Sequence, residues 1–455
     1  MKENTNLNHL TEGPIFKQII SFAIPLLWGN IFQQLYNVAD SLIVGNFLGN
    51  TALAAVSSSG QLIFLMVGFF NGIGIGAGAV TARYFGAREY DRLRKAIHTT
   101  LAFGLICGAA VTCISLIAAP YILVLIGVPA EVMNDSLTYF RIYFMGSIAF
   151  IMYNFQMGIL QSLGDSRHPL YFLIASSLLN VFLDILFIGG FHMGVGSAAF
   201  ATILSQFLSA ALCCRQLMHN PENTRVRIRE IRLEKTYLKQ IMINGIPTGI
   251  QNSVISIANV FVQSNINAFG AVVMAGCGCY SKIEGFAFVP IICFSQAITT
   301  FVSQNLGAKQ YARAKKGAVY GVVSVMLLAE LIGLAVYISA PFLLGAFSQN
   351  GEIIDCGVSQ ARIIALFYCF LACSHGMAAV QRGAGRSLVP MLVMFFFWCF
   401  FRVIYITVIT GMIPEIEVIF WAYPLTWILS TTAFLIIFFK TDWLHGFEKQ
   451  HSFNR

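Results

Sequence analysis

The sequence contains about twelve apolar segments, each long enough for one α-helix to cross a lipid bilayer. A transmembrane helix needs roughly 20 mostly apolar residues, because each residue advances the helix by about 1.5 Å. Charged residues, Pro and Gly separate segments at about 17–47, 56–82, 96–119, 137–160, 169–189, 195–214, 240–268, 273–303, 317–341, 357–381, 389–411 and 418–439. The pattern predicts an all-α integral membrane protein with about 12 transmembrane helices.

Composition and charge placement support a membrane protein. Only 11% of the 455 residues are charged, whereas soluble domains carry about 25%. This deficit argues against a soluble enzyme, a disordered chain and a nucleic-acid partner, despite the net charge of +8. All but four of the 28 Lys and Arg fall on one predicted side, the exceptions being Arg141, Lys282, Arg362 and Arg402. Positive charge marks the cytoplasmic side, so we expect a multi-pass protein of the plasma membrane with both termini cytoplasmic.

The two halves of the sequence repeat each other. Residues 16–25 (FKQIISFAIP) match residues 238–247 (LKQIMINGIP) at an offset of 222, with five of ten identical. Residues 86–95 (GAREYDRLRK) match residues 307–316 (GAKQYARAKK) at an offset of 221, again with five identical. Since six helices per repeat is an even number, the halves form parallel repeats, an arrangement that suits rocking around a central cleft.

The repeat and the charged linker predict the domain organisation. We expect two six-helix lobes around a central cleft, with the basic stretch between them on the cytoplasmic side. The predicted boundaries are a cytoplasmic tail at 1–14, an N-terminal lobe at 15–218, a charged linker at 219–237, a C-terminal lobe at 238–440 and a second cytoplasmic tail at 441–455.

Polar side chains line one face of the first predicted span and of its mate, the seventh. The first span carries amides at Asn30, Gln34 and Asn37, and the seventh carries their offset-222 mates, which are Asn252, Ser256 and Asn259. Lipid cannot satisfy these groups, so both faces should point into the bundle or a wet cavity. A substrate cleft is one interpretation, and hydrogen bonding between packed helices is the other.

Two acidic residues within the first six spans suggest a site for a coupling cation. Asp40 lies about 13 Å along its helix from Gly49, and Asp184 about 9 Å from Gly190, at a rise of 1.5 Å per residue. Thr202 lies at a similar depth, and Asn180 shares a helical face with Asp184. Close carboxylates in a low dielectric repel each other, so either one holds a proton or Na⁺ binds between them. The structural alternative is a buried acid that only bonds neighbouring helices.

Three further features carry open interpretations. Pro25 and Pro247 are matched across the repeat and can kink their helices, as functional hinges or as static bends. Glu284 can line the cleft of the second lobe and attract a cationic substrate, or it can form a structural ion pair. The alternating glycines of residues 72–78 lie in an apolar segment, where close helix packing is a better reading than phosphate binding.

The sequence offers no pattern for a cofactor, a resident metal or a reactive enzyme site. The eleven Cys lie mostly in apolar stretches without nearby His or acidic partners, where thiols behave as small hydrophobes. We therefore expect neither a disulfide framework nor a zinc site, no cofactor apart from the transported ion, and no enzymatic activity.

The chain resembles the multidrug and toxic compound extrusion (MATE) transporters along nearly its whole length. The residues that carry this resemblance are Ala23-x-Pro25, Asp40-xxx-Val44-Gly45, Asn180-xxx-Asp184, Lys282-Ile283-Glu284 and Gln304-Asn305-x-Gly307-Ala308. The set Asp40, Asn180, Asp184 and Thr202 is similar to the proton-linked cluster of the DinF-like bacterial branch. The carboxylates that the NorM-like branch uses in its seventh and tenth helices are absent, since Ile255 occupies the seventh-helix position.

The resemblance implies an efflux antiporter that exports bulky, often cationic and amphipathic compounds in exchange for H⁺ or Na⁺, by alternating access of its two lobes. The expected partners are these small organic substrates, the coupling ion and the lipid bilayer, and the protein is expected to act as a monomer. A flippase for lipid-linked saccharides, from the same broader superfamily, is the alternative. Cleft candidates that are mostly amides and acids favour cationic or neutral cargo over a pyrophosphate.

Overall fold

The computed structural model describes residues 9–446, apart from nine side chains between positions 41 and 61, and it is built from α-helices with no strand in that range. The helical run Ile15–Gly86 is broken at Gly49, which has a φ of +83°. The helices are α1 (Ile15–Gly49), α2 (Leu62–Gly86), α3 (Tyr90–Leu125), α4 (Met133–Met145 and Ser147–Ser162), α5 (Arg167–Gly190), α6 (Gly196–His219), α7 (Lys235–Asn267), α8 (Ala271–Gly307), α9 (Tyr311–Gly345), α10 (Gly351–Gly383), α11 (Leu388–Met412) and α12 (Ile416–Lys440).

The helix count agrees with the twelve predicted spans. Within residues 9–446, ten helices are long and apolar enough to cross a membrane, and the two parts of α4, which meet at 49°, make an eleventh. Helix α7 has 33 residues, ample for a bilayer, but its amide-rich sequence is less apolar than the others. The prediction of an all-α, multi-pass membrane protein is confirmed.

The chain forms two compact units. The first contains His9 and Ile24–Gly249, and the second contains Leu10–Ala23 and the described residues from Ile250 onward. The chain therefore passes from one unit to the other three times: after His9, inside α1 and inside α7. The lobes predicted from the repeat, 15–218 and 238–440, have boundaries that differ from those of the compact units, and they stay a prediction. The predicted tails, 1–14 and 441–455, lie partly outside the described residues.

Matched positions of the repeat adopt matched backbone conformations. Three pairs separated by 221 residues have positive φ angles that L-residues rarely adopt. They are Gly49 with Gly270 (83° and 99°), Arg88 with Lys309 (56° and 58°) and Gly164 with Gly385 (82° and 76°). The shared local geometry follows the alignment of the two halves and supports the predicted duplication.

The glycine run in α2 permits close helix packing on two faces. A Cβ at Gly76 would lie 2.4 Å from Cα of Gly245, and one at Gly72 would lie 2.6 Å from Cα of Gly249, both on α7. The other two glycines of the run face α4, where a Cβ would meet backbone carbonyl oxygens at 2.8 and 3.0 Å. The expected packing role is therefore confirmed, since side chains would separate these backbones.

This packing makes Gly76→Ala destabilising. The added methyl group would collide with backbone atoms of α7, which cannot rotate away, so we expect a loss of about 1–3 kcal/mol from overpacking. Gly278→Ala on α8 is the matched control, because nothing lies within 4 Å of the new Cβ there. The control should gain up to about 1 kcal/mol from helix propensity. Thermal unfolding in detergent, followed by size-exclusion chromatography, measures both, and an unchanged midpoint for Gly76→Ala would contradict this packing.

The predicted linker forms polar contacts with α3 in the first unit. The Arg94 guanidinium pairs with Glu230 at 2.9 Å, and the backbone N–H of Arg227 donates to Nε2 of His98 over 3.0 Å. The other ring nitrogen of His98 contacts the carbonyl oxygen of Arg94 at 2.7 Å. A neutral His98 satisfies both contacts, by donating from Nδ1 and accepting at Nε2.

The Gln304-Asn305 motif has a structural role in the second unit. Gln304 accepts a hydrogen bond from the backbone N–H of Leu10 over 2.9 Å, and Asn305 donates to the Leu10 carbonyl over 3.3 Å. Arg313 adds a hydrogen bond to the carbonyl of Glu12 over 3.0 Å. The motif therefore fastens the segment that precedes α1.

Candidate functional site

The structure brings together four polar residues from three helices of the first unit. Asp40 of α1 is half-buried, whereas Asn180 and Asp184 of α5 and Thr202 of α6 are buried. The carboxyl groups of Asp40 and Asp184 lie close enough to interact with each other. The sequence places these residues at similar depths along their helices, which allows them to meet. We call this group the carboxylate cluster.

Asn180 joins the acidic and hydroxyl parts of the carboxylate cluster. With its amide oriented to satisfy both neighbours, Asn180 donates from Nδ2 to Oδ2 of Asp184 over 2.9 Å and accepts from the backbone N–H of Thr202 over 3.1 Å. The Thr202 hydroxyl donates to the carbonyl of Ala198 over 2.9 Å. Asn180 and Asp184 meet because four residues separate them on α5.

Each carboxyl group keeps one buried oxygen without a partner in the described part of the chain. These atoms are Oδ1 of Asp40 and Oδ1 of Asp184. A buried oxygen without a partner loses its hydration and gains nothing in exchange. Two carboxyl groups can share a hydrogen bond only when one of them carries a proton. The arrangement can therefore hold a proton, and the free oxygens offer hard ligands to a small cation.

Three tyrosines surround the carboxylate cluster, and the sequence reasoning missed them. The Tyr36 hydroxyl lies close enough to Thr202 and Asp40 to interact with both side chains. Tyr139 lies close enough to both carboxyl groups to interact with them electrostatically, and Tyr143 accepts from Nε2 of Gln206 over 3.4 Å. A signal existed in the sequence, because Tyr36 precedes Asp40 by four residues and Tyr139 precedes Tyr143 by four, which places each pair on one helical face.

A widened helical turn follows the carboxylate cluster directly. The residues Ile185–Gly190, immediately after Asp184, form a π-helical turn. A second π-helical turn, Phe395–Phe401, immediately precedes the buried Arg402 in α11. Such turns are rare and occur frequently at functional sites. Each one here adjoins a buried charged residue.

The predicted cleft residues on α1 lie at the surface of the first unit. Asn30 and Gln34 are half-buried and Asn37 is exposed. Asn30 donates to the Leu26 carbonyl over 2.9 Å, and Asn37 donates to Oε1 of Gln34 over 3.4 Å. Both hydrogen bonds lie within α1.

Their mates on α7 are placed in the same way in the second unit. Asn252 and Ser256 are half-buried and Asn259 is exposed. The Ser256 hydroxyl donates to the Asn252 carbonyl over 3.0 Å. A role of these two polar faces in lining a substrate cleft stays a prediction.

The second unit holds a separate polar group around Glu284. Arg402 lies close enough to Glu284 for electrostatic attraction, and its guanidinium donates to the Thr426 hydroxyl over 2.8 Å. The Tyr423 ring lies 4.7 Å from that guanidinium. Oε1 of Glu284 is buried and has no partner among the described residues. This group offers one carboxylate oxygen, with a buried cation nearby.

Other charged residues within the spans have structural surroundings. Lys282 extends toward the Phe347 ring, 5.5 Å from its centroid, and so points away from the Glu284 group. The His375 ring packs edge-on against Trp398, with centroids 5.4 Å apart. Among residues 9–446, no group of three or more His, Cys, Asp or Glu side chains is arranged to hold a metal ion.

The two predicted hinge prolines lie where the chain passes between the compact units. Pro25 is inside α1 and Pro247 is inside α7. Inside α1 the chain enters the first unit at Ile24, and inside α7 it leaves this unit after Gly249. Each proline is therefore within two residues of a passage point.

A family model confirms the duplicated organisation. The model MatE matches residues 25–186 and again residues 247–409. The two matches begin at the paired prolines, and together they cover more than two thirds of the chain.

Curated relatives match most of the chain at low identity. The probable multidrug resistance protein YoeA of Bacillus subtilis is 27% identical over 389 residues, which is 84% of each chain. The probable multidrug resistance protein NorM of Thermotoga maritima is 26% identical, over 84% of this chain and 82% of its own. The multidrug export protein MepA of Staphylococcus saprophyticus is 21% identical, over 79% and 80%.

Solved structures share the fold. An outward-facing multidrug resistance MATE family transporter of the MOP superfamily superimposes with a TM-score of 0.89 at 22% identity, over the full length of both chains. A MATE structure in the bent conformation gives a TM-score of 0.90 at 22% identity, over 99% of this chain and 100% of its own. The predicted layout of twelve helices in two lobes matches this fold.

Proposed function

Since the chain belongs to the MATE family of transporters, we propose that it is a secondary active multidrug efflux antiporter of the plasma membrane. In this proposal it exports bulky, cationic and amphipathic compounds in exchange for H⁺ or Na⁺, and it acts as a monomer with both termini in the cytoplasm. The names of its relatives, which include a multidrug export protein, support this class of substrate.

The observation that carries the coupling proposal is the contact between Asp40 and Asp184. A carboxyl pair that shares a proton loses its hydrogen bond when the proton leaves, because the two carboxylates then repel. Binding and release of the ion would thereby favour different arrangements of α1 and α5. A ligand shifts a conformational equilibrium only through such a difference in affinity between states.

We favour H⁺ as the coupling ion. Two neighbouring carboxyl groups hold one proton between them when they share a hydrogen bond, which favours H⁺. The ligand set, with Asn180 and Thr202 beside two acids, resembles that of the DinF-like branch, to which we assign the chain. Na⁺ would instead have to separate the two carboxyl groups and bind among their oxygens.

The substrate cleft in this proposal is formed by the polar faces of α1 and α7. Their amides offer hydrogen bonds to many compounds, and Glu284 adds negative charge that attracts a cation. Alternating access would use Pro25 and Pro247 as hinges. Each proline removes one backbone hydrogen bond from its helix, and each lies beside a passage between compact units, which supports bending at these positions.

The test is efflux of ethidium, a fluorescent organic cation, from proteoliposomes with pH and Na⁺ gradients imposed separately. We expect export driven by the pH gradient, with no export from protein-free vesicles. Export driven by the Na⁺ gradient alone would overturn the assignment of H⁺. Failure of either gradient to move ethidium and several other organic cations would contradict the antiporter and favour lipid-linked cargo.

A further inference from the structure

Two cysteines lie at a close approach of helices α8 and α10 in the second unit. Cys277 follows Gly276 on α8, and Cys356 precedes Gly357 on α10. A Cβ built on Gly276 would lie 2.8 Å from the carbonyl oxygen of Ile353 and 2.9 Å from Cβ of Cys356. A Cβ on Gly357 would lie 3.1 Å from the carbonyl oxygen of Gly276. The two glycines therefore bring the backbones near enough for side chains of one methylene to meet.

The two thiols are in contact with each other. The side chains of Cys277 and Cys356 interact, since Cys356 packs against the apolar cluster that contains Cys277, and Sγ of Cys356 lies 3.9 Å from the carbonyl oxygen of Val273. A disulfide requires the two Cβ atoms to lie about 3.5–4.5 Å apart with their bonds directed toward each other. Because Cys277 and Cys356 interact across two closely packed helices, we expect side-chain rotation to bring their sulfur atoms to that geometry.

Other cysteines of the second unit have different neighbours. The Cys369 thiol contacts the Glu330 side chain, and the Cys373 thiol contacts Thr431. Both of these cysteines are on α10. The contact between thiols from two different helices distinguishes Cys277 and Cys356 from them.

We propose that Cys277 and Cys356 form a reversible disulfide that joins α8 to α10, with a small-molecule disulfide as the oxidant. Cys356 is half-buried and lies five residues after the start of α10, about 7.5 Å along the helix axis. It is therefore the thiol that a reagent reaches first. Cys277 is 1% exposed and acts as the resolving thiol.

The exchange proceeds in two balanced steps. The Cys356 thiolate attacks one sulfur of the reagent, forms a mixed disulfide and releases one thiolate, which takes up the proton that Cys356 lost. The Cys277 thiolate then attacks Sγ of Cys356 and releases the second half of the reagent, which is protonated in turn. The protein loses two electrons and two protons, and the reagent becomes two thiols.

The disulfide would add a covalent constraint beside the Glu284 group. Tyr280 of α8 lies one turn beyond Cys277, and its hydroxyl is 2.9 Å from that of Tyr368 on α10. A bond at Cys277 would hold the same two helices together at their packed ends. We therefore expect the oxidised protein to unfold at a higher temperature than the reduced protein.

The experiment treats the purified protein in detergent with bis(2-hydroxyethyl) disulfide, followed by alkylation in denaturant and peptide mass spectrometry. We expect a peptide pair linked through Cys277 and Cys356, the loss of two alkylated thiols, and their recovery after dithiothreitol. Cys213, buried on α6, is the internal control and should remain a free thiol.

The variants Cys277→Ser and Cys356→Ser separate the bond from general oxidation. Cys277→Ser should stop at a mixed disulfide on Cys356, Cys356→Ser should show no reaction at Cys277, and neither should gain thermal stability. The proposal is overturned if both thiols of the wild-type protein stay free, or if Cys356 stops at the mixed disulfide while Cys277 is intact. These readouts on the wild-type protein do not depend on how well either variant folds.

Discussion

Asp40→Asn and Asp184→Asn are each expected to abolish gradient-driven efflux while the protein remains folded and inserted. An amide keeps the size of the carboxyl group and can still accept a hydrogen bond, so the packing of α1 against α5 is preserved. It cannot release or bind a proton, and the ion then has no differential affinity for the two conformations. A ligand without such a difference shifts no equilibrium.

The measurement is the initial rate of ethidium efflux from proteoliposomes under an imposed pH gradient. We expect both variants to fall toward the rate of protein-free vesicles, a loss of about 5- to 150-fold for the typical coupling energy of 1–3 kcal/mol. Asp135→Asn is the matched control, since Asp135 is an exposed acid in α4 of the same unit, and it should keep the wild-type rate. If either cluster variant exported ethidium at the wild-type rate, the substituted aspartate would not belong to the coupling site.

Val262→Asp is expected to be the most destabilising of these substitutions. Val262 is the repeat mate of Asp40, but it is 1% exposed and packs in an apolar cluster with Ile266, Cys277 and Phe420. A carboxylate there would be desolvated without a partner, which costs about 3–5 kcal/mol, as for other uncompensated buried charges. The cost is greatest if the group stays ionised, and protonation would reduce it.

Val262→Thr is the matched control, because Thr has nearly the same shape. Its hydroxyl can donate to the carbonyl four residues earlier, so we expect a loss of only about 1 kcal/mol. Thermal unfolding in detergent compares the two variants. Equal midpoints for Val262→Asp and wild type would show that a carboxylate is accommodated in the second unit.

The double variant Asp40→Asn/Val262→Asp should not recover transport. The offset-221 mates of Asn180 and Asp184 are Phe401 and Tyr405, whose rings stack on each other with centroids 6.4 Å apart. They offer no amide or carboxyl group to a new acid. The duplicated units have therefore diverged in their polar interiors while keeping their backbone geometry.

Much of the fold follows from local sequence rules. Apolar length and the placement of Lys and Arg predict twelve spans, and the repeat predicts matched turns such as Arg88 and Lys309. The break in α4 at Gly146 was not predicted. A Cβ at Gly146 would lie 2.6 Å from Cγ1 of Ile203 on α6, so the close approach there depends on a neighbour that is distant in sequence.

The site was predictable where helical spacing and depth determine it. Asp40, Asn180, Asp184 and Thr202 were selected by polarity within apolar segments, and the structure places them in one cluster. The tyrosines were missed because Tyr counts as an aromatic residue in any apolar span. Only the packing of α4 against α1 and α6 shows that Tyr139 faces the carboxyl groups.

The sequence also did not predict that the chain passes from one compact unit to the other inside α1 and α7. Helical periodicity is continuous through Pro25 and Pro247, so it predicts two uninterrupted spans. Tertiary contacts determine which unit each half of a helix packs with. The hydrogen bonds of Leu10 with Gln304 and Asn305 are examples.

The most direct test of the coupling site is the proton release that accompanies ethidium binding to the purified protein. The measurement uses weakly buffered detergent solution and a pH-sensitive dye, and it compares wild type with Asp40→Asn/Asp184→Asn. We predict that wild type releases protons in proportion to bound ethidium, whereas the double variant binds ethidium without releasing protons. Equal proton release from both proteins would contradict a coupling site at Asp40 and Asp184.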